Sequence, residues 1–152
     1  MIRRQVDHQE EQPDTAVQVH LRVRYAETDQ MRVAHHAVYF VWFEAARAEF
    51  CRVRGIDYQA MEDAGYFLPV VEARCRYRAP ARYDEEVTVT VHVVEHTRRT
   101  LRMGYRVTRE ATLLAEGETL QVLVGPDGRP RTFPPDLLQR FAPGVCAGGA
   151  QE

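Results

Sequence analysis

The sequence predicts an α+β fold in which an antiparallel sheet of five or six strands curls around one long central helix. Two observations carry this. Residues 37–54 keep a helical period, with Tyr39, Phe43, Ala46, Phe50 and Val53 on one stripe, and their first half is apolar all round. Five segments alternate apolar and polar residues with the period of a strand, separated by Pro, Gly or charged links. A helix apolar on every side has to be wrapped, and a sheet with one apolar face can wrap it.

The first strand runs from Val17 to Tyr25, with Val19, Leu21, Val23 and Tyr25 facing one way and His20, Arg22 and Arg24 the other. Residues 26–36 read as a loop. The helix from Ala37 to about Arg54 ends at Gly55, the residue type that tolerates the left-handed conformation after a last turn. A short helix over 57–64, stopped by Gly65, follows. Phe67 to Tyr77 gives the next strand, then Val87 to Val93, Leu101 to Val107 and Leu114 to Val124. Pro80, Arg98-Arg99 and residues 109–112 fall between them, which suits antiparallel hairpins. Gly125-Pro-Asp-Gly is a turn, and Pro134 to Phe141 a short closing helix. The domain is expected over 17–142, with an extended or disordered leading segment at 1–16 and a flexible tail at 143–152. The outer face of the sheet mixes Thr, Arg and His with valines, so association into a homodimer or homotetramer is expected.

Composition closes off several chemistries. The 152 residues carry a formal charge of −2, which gathers neither nucleic acid nor anionic lipid broadly. All 20 basic residues are arginine, and the chain has no Lys, Ser or Asn. A serine nucleophile, a Schiff-base lysine and a Ser-His-Asp triad are therefore excluded. Cys51, Cys75 and Cys146 are widely spaced, which argues for core or tail residues in a reducing compartment. No apolar run reaches the ~20 residues of a membrane span, and 1–16 hold no hydrophobic signal region, so the cytoplasm is the expected address. His35 and His36 are adjacent and diverge. His92 and His96 lie about 13 Å apart along a strand. Neither pair suggests a metal site, and no cofactor is expected.

The chemistry-bearing stretch lies between the first strand and the long helix: Tyr25-Ala-Glu27-Thr-Asp29, then His35-His36 and Tyr39-Phe40. It gathers a carboxylate, an imidazole, a phenol and a helix N-terminus. A thioester is already activated, so its hydrolysis needs a base or nucleophile near the carbonyl carbon and a donor for the oxyanion. Asp29 can attack directly or deprotonate a water. The first backbone N–H groups of the helix have no internal partner, its dipole favours negative charge there, and no Ser, Thr, Asp or Asn stands in capping position around His35-His36-Ala37. Those amides are expected to remain open for a substrate oxygen, assisted by the His36 imidazole or the Tyr25 hydroxyl. The bland readings are a turn residue for Asp29, a packing residue for His36 and a strand-end core residue for Tyr25.

Together, the order of elements and the run Arg24-Tyr25-Ala26-Glu27-Thr28-Asp29, His35-His36, Tyr39, Trp42-Phe43-Glu44 and Ala46-Arg47 resemble the hotdog fold of the 4-hydroxybenzoyl-CoA thioesterase family and its Tol–Pal-associated relatives. The resemblance spans roughly Val17 to Pro130. It implies an acyl-CoA thioesterase with Asp29 as catalytic carboxylate and Tyr25 and His36 completing the site. Tyr39 and Glu44 are expected on the substrate, although Glu44 is also placed to pair with Arg47 three residues on. Arginine forks suit the phosphates of coenzyme A, and Arg98 and Arg99 are the expected contacts, with Arg76, Arg78 and Arg82 as weaker candidates. An acyl carrier protein is an alternative carrier. The rival readings are a hotdog acyl-thioester hydratase or dehydratase and a non-catalytic acyl-CoA-binding sensor. Three positions depart from the family pattern: Arg32 replaces Gly, Ala34 replaces Val and Val38 replaces Asn. A positive φ is costly for Arg32, which predicts a loop that runs differently here.

Overall fold

The computed structural model describes residue 13 and residues 15–144. The expected leading and trailing segments, and Cys146, lie outside the described residues except at 13, 15, 16, 143 and 144. The elements are β1 (Val17–Arg22), a 3₁₀ turn (Tyr25–Glu27), α1 (Val38–Val53), α2 (Tyr58–Asp63), β2 (Val70–Tyr77), β3 (Glu86–His96), β4 (Thr100–Arg109), β5 (Thr112–Val122) and α3 (Pro135–Phe141). The strands form one antiparallel sheet in the order β1-β3-β4-β5-β2. A curled five-stranded sheet against a single long helix is the arrangement the hotdog resemblance implies.

Local chemistry sets the ends of the helices. Gly55 takes φ +67° and donates to the Arg52 carbonyl, while Ile56 N–H reaches back to Cys51 O at 2.8 Å. This pair of bonds consumes the last carbonyls of α1 and turns the chain away. Asp57 caps α2 by accepting from Ala60 N–H at 3.2 Å. By contrast, α1 begins at Ala37 with no side-chain cap.

Helix and sheet meet through Tyr39, Trp42, Phe43, Ala46 and Phe50, which are buried against the inward valines of β3 and residues Leu101, Met103, Tyr105 and Val107 of β4. The Phe43 ring stacks on Tyr105 with centroids 4.3 Å apart. It also lies directly on the β5 backbone, where a Cβ at Gly117 would come within 2.7 Å of the ring and 2.3 Å of Arg74 O. Only glycine permits that approach. Arg47 donates to the Tyr105 hydroxyl at 3.3 Å, and that hydroxyl bonds Thr119 Oγ1 at 2.8 Å, which also takes a bond from Gln121. The expected Glu44–Arg47 ion pair is not formed, because Arg47 turns inward to this buried network while Glu44 points outward.

Two further expectations are corrected. The helix is not sheathed within one chain: Ala37, Val41, Glu44 and Ala48 form an exposed stripe, with Val41 55% exposed. The sheet curls over one side only. Likewise, β2 does not hide an inward face. As an edge strand bonded only to β5, it leaves Val70, Val71 and Tyr77 exposed and Cys75 half-buried. Cys51 is a core residue, and burial pushes its thiol up to about 12.

The connection from β1 to α1 is held by Glu27, which is 6% exposed. Its carboxylate accepts from Trp42 Nε1 at 3.0 Å and from Arg24 N–H at 2.8 Å, with Arg24 Nε 3.4 Å away. Its carbonyl accepts from His35 N–H at 2.8 Å. Replacing Glu27 with Ala would leave the buried Trp42 indole N–H and the part-buried Arg24 N–H unpaired and should cost about 2–4 kcal/mol. Urea unfolding followed by Trp42 fluorescence, with Glu27→Gln as the milder partner, measures this; a loss under about 0.5 kcal/mol would remove Glu27 from that role.

Candidate active site

Chain geometry gathers the motif at one end of the sheet. After Glu27, Thr28 and Ala34 form an antiparallel bridge, and Asp29 N–H donates to Val33 O at 3.0 Å. Ala34 N–H donates to Ala81 O at 2.7 Å, which brings the 81–83 segment alongside. Residues 30–33 close the loop, and His35-His36 lead directly into α1. The turn thus sets Asp29 and the start of α1 at opposite ends of one short ladder.

Asp29 is half-buried, and its Oδ1 accepts from Met31 N–H at 2.8 Å. This is the local side-chain turn that Asp favours. It fixes the carboxylate plane and leaves Oδ2 without a hydrogen-bond partner among the described residues. No side chain caps α1, so Asp29 does not consume the amides of the helix start. His35 Nδ1 accepts from Ala37 N–H at 3.2 Å, Val38 N–H donates to His35 O at 3.0 Å, and Phe40 N–H donates to Ala37 O at 3.3 Å. The N–H groups of His36 and Tyr39 have no acceptor among the described residues.

The other expected residues are distributed unevenly. His36 is exposed, with its ring 4.2 Å from that of His35. Tyr25 leaves the strand and enters the 3₁₀ turn, 78% exposed, so it is not a strand-end core residue; its ring packs edge-on against Tyr83 at 5.7 Å. No hydrogen bond joins Asp29, His36 and Tyr25 to one another among the described residues. The Tyr39 ring is 2% exposed, against Trp42 at 4.7 Å and Tyr77 at 5.0 Å. Burial raises its phenol above the usual range, partly offset by the Ala81 backbone amide. What Tyr39 can present to a substrate is therefore its N–H, not its side chain. Glu44 sits on the exposed stripe of α1 with no ion-pair partner among the described residues.

Arg98 and Arg99 are not brought to Asp29. They occupy the β3–β4 hairpin, whereas β1 delivers the motif to the opposite end of β3, where Arg22 pairs with Glu86. Eleven residues of β3 separate the two ends, about 33 Å. Among the weaker candidates, Arg78 pairs with Glu116 at 2.6 Å, and Arg76 faces a cleft on the outer sheet with His92 and Arg106. That outer face is laced by Arg74, Glu118, Arg102 and Glu95 in successive ion pairs. Arg82 is exposed beside the motif loop, next to Ala81, and makes no ion pair among the described residues.

Two residues were not singled out from sequence. Glu27 stood inside the motif, yet its burial was invisible because only the fold brings Trp42 over it. Tyr77 donates its hydroxyl to His36 O at 2.6 Å, a contact 41 residues away in sequence with no local signature. Arg32 overturns an expectation in the other direction. It adopts φ +62°, so the loop keeps the conformation that glycine favours. For a residue with a Cβ that conformation costs ~1 kcal/mol or more.

A family model described as the thioesterase-like superfamily matches residues 23–141. The acyl-CoA thioester hydrolase YbgC of Escherichia coli O6:H1 is 32% identical over 123 residues, covering 80% of this chain and 92% of that protein. A crystal structure of a hypothetical protein from Thermus thermophilus is 44% identical, with a TM-score of 0.77 over 82% of this chain and 95% of the other. A DHNA-CoA thioesterase from Staphylococcus aureus is 29% identical, with a TM-score of 0.74 and 84% of each chain covered.

Replacing Arg32 with Gly should remove the backbone cost and, after the added entropy of the unfolded chain, stabilise the protein by about 0.5–1 kcal/mol. Thermal unfolding of Arg32→Gly against Arg32→Ala checks this, since only glycine gains; equal melting temperatures would mean the loop carries no strain.

Proposed function

This chain belongs to the thioesterase-like superfamily, and from that premise we propose that it hydrolyses acyl-CoA thioesters with Asp29 as nucleophile or general base. The observation that carries the reading is the pairing of a half-buried carboxylate, one oxygen held by Met31 N–H, with an uncapped helix start whose His36 and Tyr39 amides have no acceptor. Asp29 Oδ2 would meet the carbonyl carbon or a water on it. The carbonyl oxygen, as it gains charge, would turn to the helix amides, where dipole and N–H groups together favour an anion. His36 and Tyr25 would steady the thiolate or the oxyanion. Direct attack breaks the C–S bond, expels the coenzyme A thiolate and forms a mixed anhydride that water then opens to the free acid and Asp29, whereas on the base route the water attacks the thioester itself and the thiolate leaves with its proton; the geometry is compatible with both.

For the coenzyme A phosphates, Arg82 is the cation that geometry favours over Arg98 and Arg99 of the same chain. A site of this kind also needs walls. Tyr25, Met31, Val41, Tyr77 and Tyr83 are exposed, and β2 offers an unpaired edge with Val70 and Val71 exposed beside it. Exposed apolar edges of this length are normally paired or covered. A second copy laid along β2 and the Val41 stripe would cover both and enclose the acyl group, so the working form is a homodimer or a larger homo-oligomer. Among the described residues no helix is long and apolar enough to cross a membrane. The cytoplasm, where acyl-CoA is held and free thiols such as Cys51 persist, is the proposed site of action.

A free-thiol assay over acyl-CoAs of varied chain length is the direct test. Asp29→Asn should lower kcat by about 10²–10⁴-fold while leaving the fold intact. Hydration without thiol release would instead favour a hydratase, and binding without turnover a sensor.

The proposed assembly has its own test. The wild-type chain should sediment as a dimer or larger, and Val71→Arg should shift it toward monomer with parallel loss of activity. A fully active monomer would dismiss the second copy as part of the site.

A further inference from the structure

The entry to α1 is held by a side chain from outside the helix. The His36 carbonyl stands one residue before the N-cap Ala37, outside the ladder of helix bonds, and the first N–H groups of the helix have no internal partner. Phe40 N–H donates to Ala37 O in a tightened first turn, and Tyr39 N–H has no acceptor among the described residues. The His36 carbonyl is taken by the Tyr77 hydroxyl at 2.6 Å. That hydroxyl comes from the last residue of β2, so an edge strand reaches across to hold the peptide from which the helix departs.

We infer that Tyr77 is a positioning residue for hydrolysis: by holding the His36 carbonyl and packing its ring on Tyr39, it fixes the turn that carries the His36 and Tyr39 N–H groups toward the substrate oxygen. This rests on the thioesterase reading above. It names the group that holds in place the turn presenting the oxyanion donor.

The surroundings support the role. The Tyr77 ring packs edge-on against Tyr39 at 5.0 Å, so one aromatic pair fixes both the donor to His36 O and the residue whose amide stands open. The ring is 44% exposed, but its hydroxyl lies against the His36 carbonyl and beside the Cys75 thiol. Burial, then the neighbouring Cys75 and Tyr39, push its phenol up to about 12. The hydroxyl therefore stays protonated, and a donor, throughout the range in which a thioesterase is assayed. The burial of the Cys75 thiol likewise raises its pKa, so no thiolate competes for the Tyr77 proton near neutrality.

Two variants and one spectroscopic measurement test the idea. Tyr77→Phe keeps the ring against Tyr39 and removes only the donor. The expectation is a fall in kcat of about tenfold or more, with KM within a factor of two. Replacement of Tyr77 with 3,5-difluorotyrosine restores the hydroxyl with a more acidic phenol. Its kcat should match wild type at low pH and fall as pH rises through the fluorinated phenol's titration, since a phenolate cannot donate; wild type should show no such limb. A purely packing role would leave that pH profile unchanged. Unchanged kcat in Tyr77→Phe, or equal losses in kcat and stability with no new limb in the fluorinated protein, would overturn the proposal. The ¹⁵N resonances of His36 and Tyr39 provide a readout independent of turnover. They should move in Tyr77→Phe, while those beyond the first turn stay. If wild type released no thiol from any acyl-CoA, the thioesterase reading would fall alone; static amide resonances in Tyr77→Phe would sink the Tyr77 assignment by itself.

Discussion

A single buried carboxylate organises the end of the molecule where chemistry is proposed. Glu27 receives the Trp42 indole from the helix and the Arg24 amide from the preceding turn, and its carbonyl takes the His35 amide. Three segments separated in sequence are thereby tied to one residue. Burying a carboxylate is costly unless every lone pair finds a donor. The short turn after β1, the entry to α1 and the depth of Trp42 are therefore set together. Asp29 sits two residues beyond this anchor, and its position relative to the helix start follows from it.

Within that frame the two carboxylates of the motif divide their work by environment. Glu27 is enclosed and satisfied from several sides. Asp29 is half-buried, accepts one local amide and keeps an oxygen uncommitted. The same logic separates the helix amides. His35 and Ala37 satisfy some of the first N–H groups, while Tyr77 anchors the carbonyl of His36 just before the helix. Most helix starts are capped by a side chain because uncapped amides destabilise them. Here the open start is tolerated because tertiary contacts from β2 and the Glu27 anchor hold the chain in place. The positive φ of Arg32 belongs to the same economy, since strain at the loop is outweighed by what the loop positions.

The single chain is also unfinished as a surface. The sheet covers one side of α1, leaving Val41 and its stripe exposed, and β2 ends the sheet with an open edge. The motif lies at the junction of those two open features. The proposed dimer thus answers a packing demand and an active-site demand with one contact. Polar ion pairs dominate the outer sheet face, where Arg74, Glu118, Arg102 and Glu95 alternate in sign. That face has no comparable need for cover.

Much of this was legible from residue order. The helical stripe of Tyr39, Phe43, Ala46 and Phe50, the valine alternation of β3, the glycine after α1 and the run from Tyr25 to His36 are local patterns, and local backbone preference plus apolar spacing decide them. The absence of Ser, Lys and Asn excluded whole mechanisms before any fold was considered. The tertiary structure alone decided who meets whom. It sent Arg98 and Arg99 to the far end of β3, turned Arg47 onto Tyr105 and away from Glu44, carried Tyr25 off its strand into solvent and set Tyr77 on His36. Such pairings depend on strand register and on which face of a helix the sheet covers. Those are settled by the packing of the whole chain, so no window of sequence contains them.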